Sequence, residues 1–167
     1  MAFTDELPRN SESRAISIAM RLLRKHAPQV KWVVSFADAT QCGDGTIYRA
    51  AGFILTAITP NQNLARKPDG TVVHKMTFES NPVGTGYAAV MKGKNSWKTF
   101  CKKMGWEILT GYQLRYIYFI DKTWRNRLLV DPIPFSEIER VGARMYRGQK
   151  IISARPTGGG AAVTSRG

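Results

Sequence analysis

Over Ser11–His26 the apolar residues Ile16, Ala19, Met20 and Leu23 recur at the i, i+3, i+4, i+7 spacing of one helical face, with Ala15, Ile18 and Leu22 widening the stripe. Asn10 or Ser11 stands where a helix cap is expected, and Glu12 falls in the first turn, where the helix dipole favours an acid. Arg24, Lys25 and His26 complement the far end before Ala27-Pro28 stops the pattern. Residues 30–37 then form a near-continuous apolar run, the signature of a central strand buried on both faces, which breaks off at Asp38. Helix followed by strand reads as the second half of a βαβ unit whose first strand precedes Thr4. Only residues 1–3 are left for that strand, so the pattern predicts a chain that begins inside a larger fold.

Polar chemistry starts where the strand ends: Ser35, Asp38, Gln41, Cys42, Asp44 and Tyr48 cluster around its carboxyl end, where ligands bind in open α/β sheets. Gly43 and Gly45 mark a loop, T-I-Y-R-A-A a helical turn ended by Gly52, and residues 53–59 a strand. Pro68-Asp69-Gly70 predicts a turn into an antiparallel strand over 71–78, followed by a long loop over 80–95. Ser96 is placed to cap a short helix with Trp97, Phe100, Cys101 and Met104 on one face, stopped by Gly105. Residues 113–121 alternate as a strand with Leu114, Tyr116, Tyr118 and Ile120 on one side, a core face in preference to a stacking platform for bases. A basic turn over 122–129 and a last helix from Glu137 to about Tyr146, capped by Ser136, complete the pattern. The whole reads as α/β, one domain over 1–147 and a disordered, basic, Gly-rich tail over 148–167.

Charge narrows the function classes. The 167 residues carry a formal net charge of +13, with a pI near 10.1, which points to a polyanionic partner, nucleic acid before a membrane surface. After Glu139 no acidic residue occurs, while six Lys and Arg follow from Arg140 to Arg166. Two cysteines and the lack of any run able to span a bilayer predict a cytoplasmic protein with reduced thiols. Cys42, Cys101, His26 and His74 have no metal-ligand spacing.

The block N-S-E-S-R, then S-F-A-D, then G-D-G-T-I-Y-R-A and G-F, resembles the Mom family of bacteriophage DNA-modification proteins, whose pattern runs N-[ST]-E-S, S-[YF]-A-D and G-H-x-G-x-I-Y-x-A-x-N-F. The later Y-I-Y-F-I-D-K with its basic continuation fits the same family. Gly43 stands where the family has histidine, and Gly52 where it has asparagine.

The resemblance implies a GNAT-like mixed sheet with flanking helices, here a partial domain lacking the family's amino-terminal strands. It implies a phage or prophage enzyme in the bacterial cytoplasm that carbamoylmethylates the exocyclic N6 of adenine in double-stranded DNA and so protects it from restriction. Acetyl-CoA or another acyl-CoA is the implied co-substrate, with Arg9, Asn10, Ser11, Glu12 and Ser13 at the helix start as its candidate diphosphate site.

Asp38 is the candidate base, or alternatively an Asp capping the following turn; Tyr48 is the candidate proton donor, or a packed tyrosine; Ser35 is expected on the face opposite Trp32 and Val34. Arg49, Lys122, Arg125 and Arg127 are the candidate DNA contacts. A free strand edge would favour homodimerisation. The competing readings are a catalytically inactive DNA-binding accessory protein and an N-acetyltransferase of a small molecule or protein.

Overall fold

The structure, a computed structural model, describes residues 7–8, 10–40, 43–79, 97–146 and 149–150. Arg9, Gln41, Cys42, the expected loop over 80–95, Ser96 and the expected tail beyond residue 150 lie outside the described residues. The elements run α1 (Ser11–His26), β1 (Trp32–Asp38), α2 (Thr46–Ala50), β2 (Ile54–Arg66), β3 (Val72–His74), α3 (Lys75–Glu79), α4 (Trp97–Met104) and β4 (Glu107–Phe119). A 3-10 turn (Lys122–Arg127), α5 (Ser136–Arg140) and a small ladder of β5 (Met145–Tyr146) with β6 (Gln149–Lys150) follow.

The α/β class expected from the pattern is observed, as a four-stranded sheet of order β1-β4-β2-β3 whose described pairings are all antiparallel. Among the described strands β1 therefore stands at the edge, not the centre; the aromatic strand β4 lies between β1 and β2. The apolar run misled because both faces of β1 are apolar although only one is covered. Ala37 is buried, whereas Trp32 and Phe36 on the other face are 48% and 53% exposed.

On the covered face Leu55, Leu114 and Tyr116 meet Met20 of α1, Phe53, and Ile138 of α5, with Ile16, Leu23 and Tyr48 packed against them. The stripe of α1 is narrower than its sequence suggested: Ile18, Ala19 and Leu22 are exposed. Its start also departs from the expected caps. Asn10 takes the left-handed conformation (φ 68°) and makes no capping bond. The hydroxyls of Ser11 and Ser13 donate instead to the carbonyls of Pro8 and Asn10.

β2 runs further than expected, through Pro60 to Arg66, because β3 pairs only with Leu64–Arg66 and leaves that side of Pro60 without a ladder partner among the described strands. A register shift between Leu55 and Ala57 keeps Leu55 and Ile58 on the same face, opposite Tyr116 and Leu114. β3 is shorter than expected: the chain turns into α3 after His74, whose Nδ1 accepts the Met76 N–H at 3.1 Å. α5 ends at Arg140, six residues early, because Gly142 (φ 70°) takes the left-handed form and Ala143 N–H donates to Ile138. Phe135, not Ser136, occupies its cap position, with no side-chain cap.

A second cluster packs Trp97, Phe100 and Cys101 of α4 on Ala65, Trp106 and Ile108. Trp97 Nε1 donates to the Gln62 carbonyl at 2.9 Å, while Met104, expected on the same face, is 41% exposed. Burial pushes the Cys101 thiol pKa up, so it is a packing group rather than a nucleophile.

Leu114 is fully buried in the strand that every layer depends on. Leu114→Ala is expected to cost about 2–5 kcal/mol, read as a lower urea midpoint with an unchanged m-value.

Candidate functional site

The glycine-containing segment after β1 is built around one side chain of β4. Tyr116 has no exposed surface, and its hydroxyl donates to the Asp44 carbonyl. Gly45 lies flat on the same ring: it has φ 75°, and a Cβ there would stand 2.4 Å from Tyr116 Cε2. Only glycine meets both demands. The Asp44 carboxylate accepts from Thr46 N at 3.1 Å and Thr46 Oγ1 at 2.7 Å, which opens α2. α2 then lays Tyr48 against both Tyr116 and Phe53, each at 5.4 Å between ring centroids, and Phe53 meets Tyr118 at 5.2 Å. Burial, reinforced by the nearby Asp44 charge, pushes the Tyr116 pKa well above the usual tyrosine range, so its phenol is a permanent neutral donor.

A polar cavity of about 180 Å³ opens beside this ring between α2 and α5, bounded by Asp44, Thr46, Arg49, Ser136, Glu139 and Arg144. The Arg49 guanidinium lies 5.4 Å over the Phe135 ring, and Arg144 pairs with Glu139 at 3.4 Å.

Of the expected catalytic trio, Ser35 pairs directly with Tyr116, which places both on the face opposite Trp32 and Val34 as the alternation predicted. Tyr48 reaches the same ring from α2. Asp38 stands three residues further along β1, about 10 Å away at strand spacing, opposite Gln113. Its carboxylate accepts the Thr40 N–H at 2.8 Å, the turn-capping alternative raised by the sequence. Asn10, Ser11, Glu12 and Ser13 lie at the start of α1, and Ser13 with Arg14, Ser17, Arg21 and Ala50 lines an open depression of about 250 Å³ between α1 and α2.

The expected DNA contacts fall in two places. Arg49 is on α2, on the helix-covered side, whereas Lys122, Arg125 and Arg127 are exposed on the 3-10 turn after β4. That turn is fixed by Asp121, whose carboxylate accepts from Thr123 N at 3.1 Å and Thr123 Oγ1 at 2.7 Å and faces Lys31 at 3.8 Å. The Thr123 bonds, followed by the Lys31 charge, hold the Asp121 carboxyl below the usual carboxylate range. Arg127 stacks over Trp124 at 4.4 Å.

Two contributors were missed. Tyr116 read as a core residue in preference to a base-stacking one, and its hydroxyl's partner, 72 residues away, was not visible. Arg115 alternates with the buried Leu114 and Tyr116, which was a visible signal that it faces the other side. Its Nε donates to Thr56 Oγ1 at 3.0 Å and its Nη2 to the Thr56 carbonyl at 3.4 Å. Among the described residues no three His, Cys, Asp or Glu side chains come together as metal ligands, and no helix is long and apolar enough to cross a membrane.

Two substitutions separate the parts of the Tyr116 contact. Tyr116→Phe removes one hydrogen bond and is expected to cost about 1 kcal/mol. Gly45→Ala is expected to cost at least about 2 kcal/mol, from left-handed strain together with the clash on the ring. Chemical denaturation of both variants checks that order.

The methylcarbamoylase Mom of Escherichia phage Mu is 37% identical over 125 residues, an alignment that covers 74% of this chain and 47% of the phage protein. The chain thus spans about half the length of that curated relative. The model of the Mom protein family matches residues 1–137, taking in α1, the Tyr116 contact and the 3-10 turn. This chain belongs to the Mom protein family.

Proposed function

We propose that the chain is a phage DNA-modification protein that acts on the exocyclic N6 of adenine in double-stranded DNA, leading to a carbamoylmethyl product, with an acyl-CoA as the co-substrate that carries the precursor of the modifying group. The observation that carries this reading is the convergence of two separate family motifs, S-F-A-D through Ser35 and G-D-G-T-I-Y through Gly45 and Tyr48, on the single ring of Tyr116. The net charge of +13 supports a polyanionic substrate, as does the name of the phage Mu relative, a methylcarbamoylase.

The depression beside Ser13 has cationic walls in Arg14 and Arg21 and lies next to the start of a 16-residue helix. Those features suit the diphosphate of an acyl-CoA. Bound there, the acyl-CoA would present the precursor of the modifying group, and the thiolate left on its release would take up the proton supplied by this chain. Asp38, half-buried at the end of β1, is the acceptor for the amino proton of adenine, released from its Thr40 turn on substrate binding. Tyr48 is the phenolic proton donor, oriented by its contacts with Phe53 and Tyr116. Ser35 positions Tyr48 from β1, while Asp38, three residues on and so turned to the other face by the strand alternation, approaches the substrate from the strand end. Lys122, Arg125 and Arg127 hold the phosphate backbone without reading sequence.

A second reading, a DNA-binding protein without catalysis, is favoured by the engagement of the Asp38 carboxylate with Thr40. Nucleoside mass spectrometry of DNA from expressing cells decides between the two. The expected result is a heavier adenine nucleoside with the wild-type chain, reduced about 100-fold or more by Asp38→Asn and by Tyr48→Phe. Adenine left unmodified by a folded wild-type chain would overturn the enzymatic reading and leave the binding one. Independently, replacing Lys122, Arg125 and Arg127 together by Gln is expected to flatten the slope of log K for duplex DNA against log salt by about 2 to 3, measured by titration at several salt concentrations.

A further inference from the structure

The side of the sheet turned away from α1, α2 and α5 carries Trp32 and Phe36 from β1 and Arg115 and Ile117 from β4. Phe36 is the direct cross-strand neighbour of Arg115. An antiparallel sheet that leaves one face to water ordinarily presents polar side chains there; this face presents indole and phenyl rings around a guanidinium. Trp32, Arg115 and Ile117, with Trp124 and Arg127 of the 3-10 turn and the apolar segment Leu128–Val130 that follows it, bound a largely apolar groove of about 360 Å³.

Charge selects the occupant. Arg115 is held by Thr56 through two hydrogen bonds, and among the described residues no carboxylate pairs with Arg115 or with Arg127. A second copy docked here about a two-fold axis would set guanidinium against guanidinium. Burying either arginine under an apolar partner would leave a desolvated, uncompensated charge. A strand of nucleic acid offers what the face lacks: phosphates for the guanidinium groups and flat bases for the rings. A closed duplex keeps its base faces stacked inside, so only an unpaired strand can use both.

We infer that this open sheet face binds unpaired single-stranded DNA, with bases stacked on Trp32 and Trp124 and phosphates at Arg115 and Arg127. The inference rests on the reading of the chain as a DNA-acting protein. It gives a place for an unpaired stretch of DNA, on the side of the sheet opposite Tyr48.

The test is fluorescence anisotropy of the full chain with a labelled thymidine 12-mer and, separately, a duplex of the same length, using Trp32→Ala and Arg127→Gln with folding checked by far-UV circular dichroism. Trp32→Ala is expected to weaken single-strand binding about 5- to 100-fold with a smaller change for duplex. Arg127→Gln is expected to weaken single-strand binding and to lower its salt slope by about 0.7. Because Trp124 lines the groove from the 3-10 turn and belongs to neither core cluster, Trp124→Ala, with the same expected loss as Trp32→Ala, carries the test if Trp32→Ala fails to fold.

Wild-type single-strand affinity in a folded variant would overturn the inference. So would a self-associating wild type that Trp32→Ala renders monomeric without loss of single-strand affinity, since the face would then seat protein. Duplex binding that persists in those cases leaves the proposed function standing, whereas a wild-type chain that binds neither DNA sinks both.

Discussion

The fit of Tyr116 against Gly45 is the constraint on which the rest of the structure depends. A tyrosine in the middle of a sheet must bury its ring and still satisfy its hydroxyl. Here the carbonyl of Asp44 satisfies it, which draws the loop after β1 over the sheet, and the glycine that follows permits the backbone to lie on the ring. From that contact α2 starts, Tyr48 and Phe53 stack in sequence, and β2 enters the sheet beside β4. Phe135, stacked on Tyr116 at 6.4 Å, fixes the segment leading into α5 to the same ring. One buried phenol thus joins a strand, a loop and two helices.

The same geometry explains why the family motif has its residue types. Gly45 serves conformation and clearance, Asp44 nucleates the helical turn through Thr46, and Tyr48 is presented by that turn to a neutral, water-excluded partner. The side chains here are held in different ways: Ser35 and Tyr48 are oriented by the core, whereas Asp38 sits at a strand end, held by a local turn.

The sheet has two unlike sides. One is closed by α1, α2 and α5 over Leu55, Leu114 and Tyr116. The other presents aromatic rings and two guanidinium groups that meet no carboxylate among the described residues, in a chain with 25 Lys and Arg against 12 Asp and Glu. Exposed apolar surface of this kind is what interaction sites commonly present. The basic 3-10 turn and the open face are continuous through Trp124 and Arg127.

The sequence by itself determined the local elements whose signals are local. The 3.6-residue spacing of Ile16, Met20 and Leu23 placed α1 to the residue, the two-residue alternation in β4 put Leu114, Tyr116 and Ile120 on the core side, and spaced motifs pointed to the Mom family. It could not rank the strands, because a run of apolar residues looks the same whether both faces are covered or one is open, and so β1 read as central when it stands at the edge of the described strands. Helix ends at Asn10 and Gly142 depended on left-handed backbone that composition does not announce. Candidate residues were legible by type, but their association was not: Tyr116 meets Asp44 across 72 residues, and Arg115 is pinned by Thr56 across 59. Only tertiary structure decides such pairs, since burial and strand register, not sequence spacing, bring their atoms within hydrogen-bond reach.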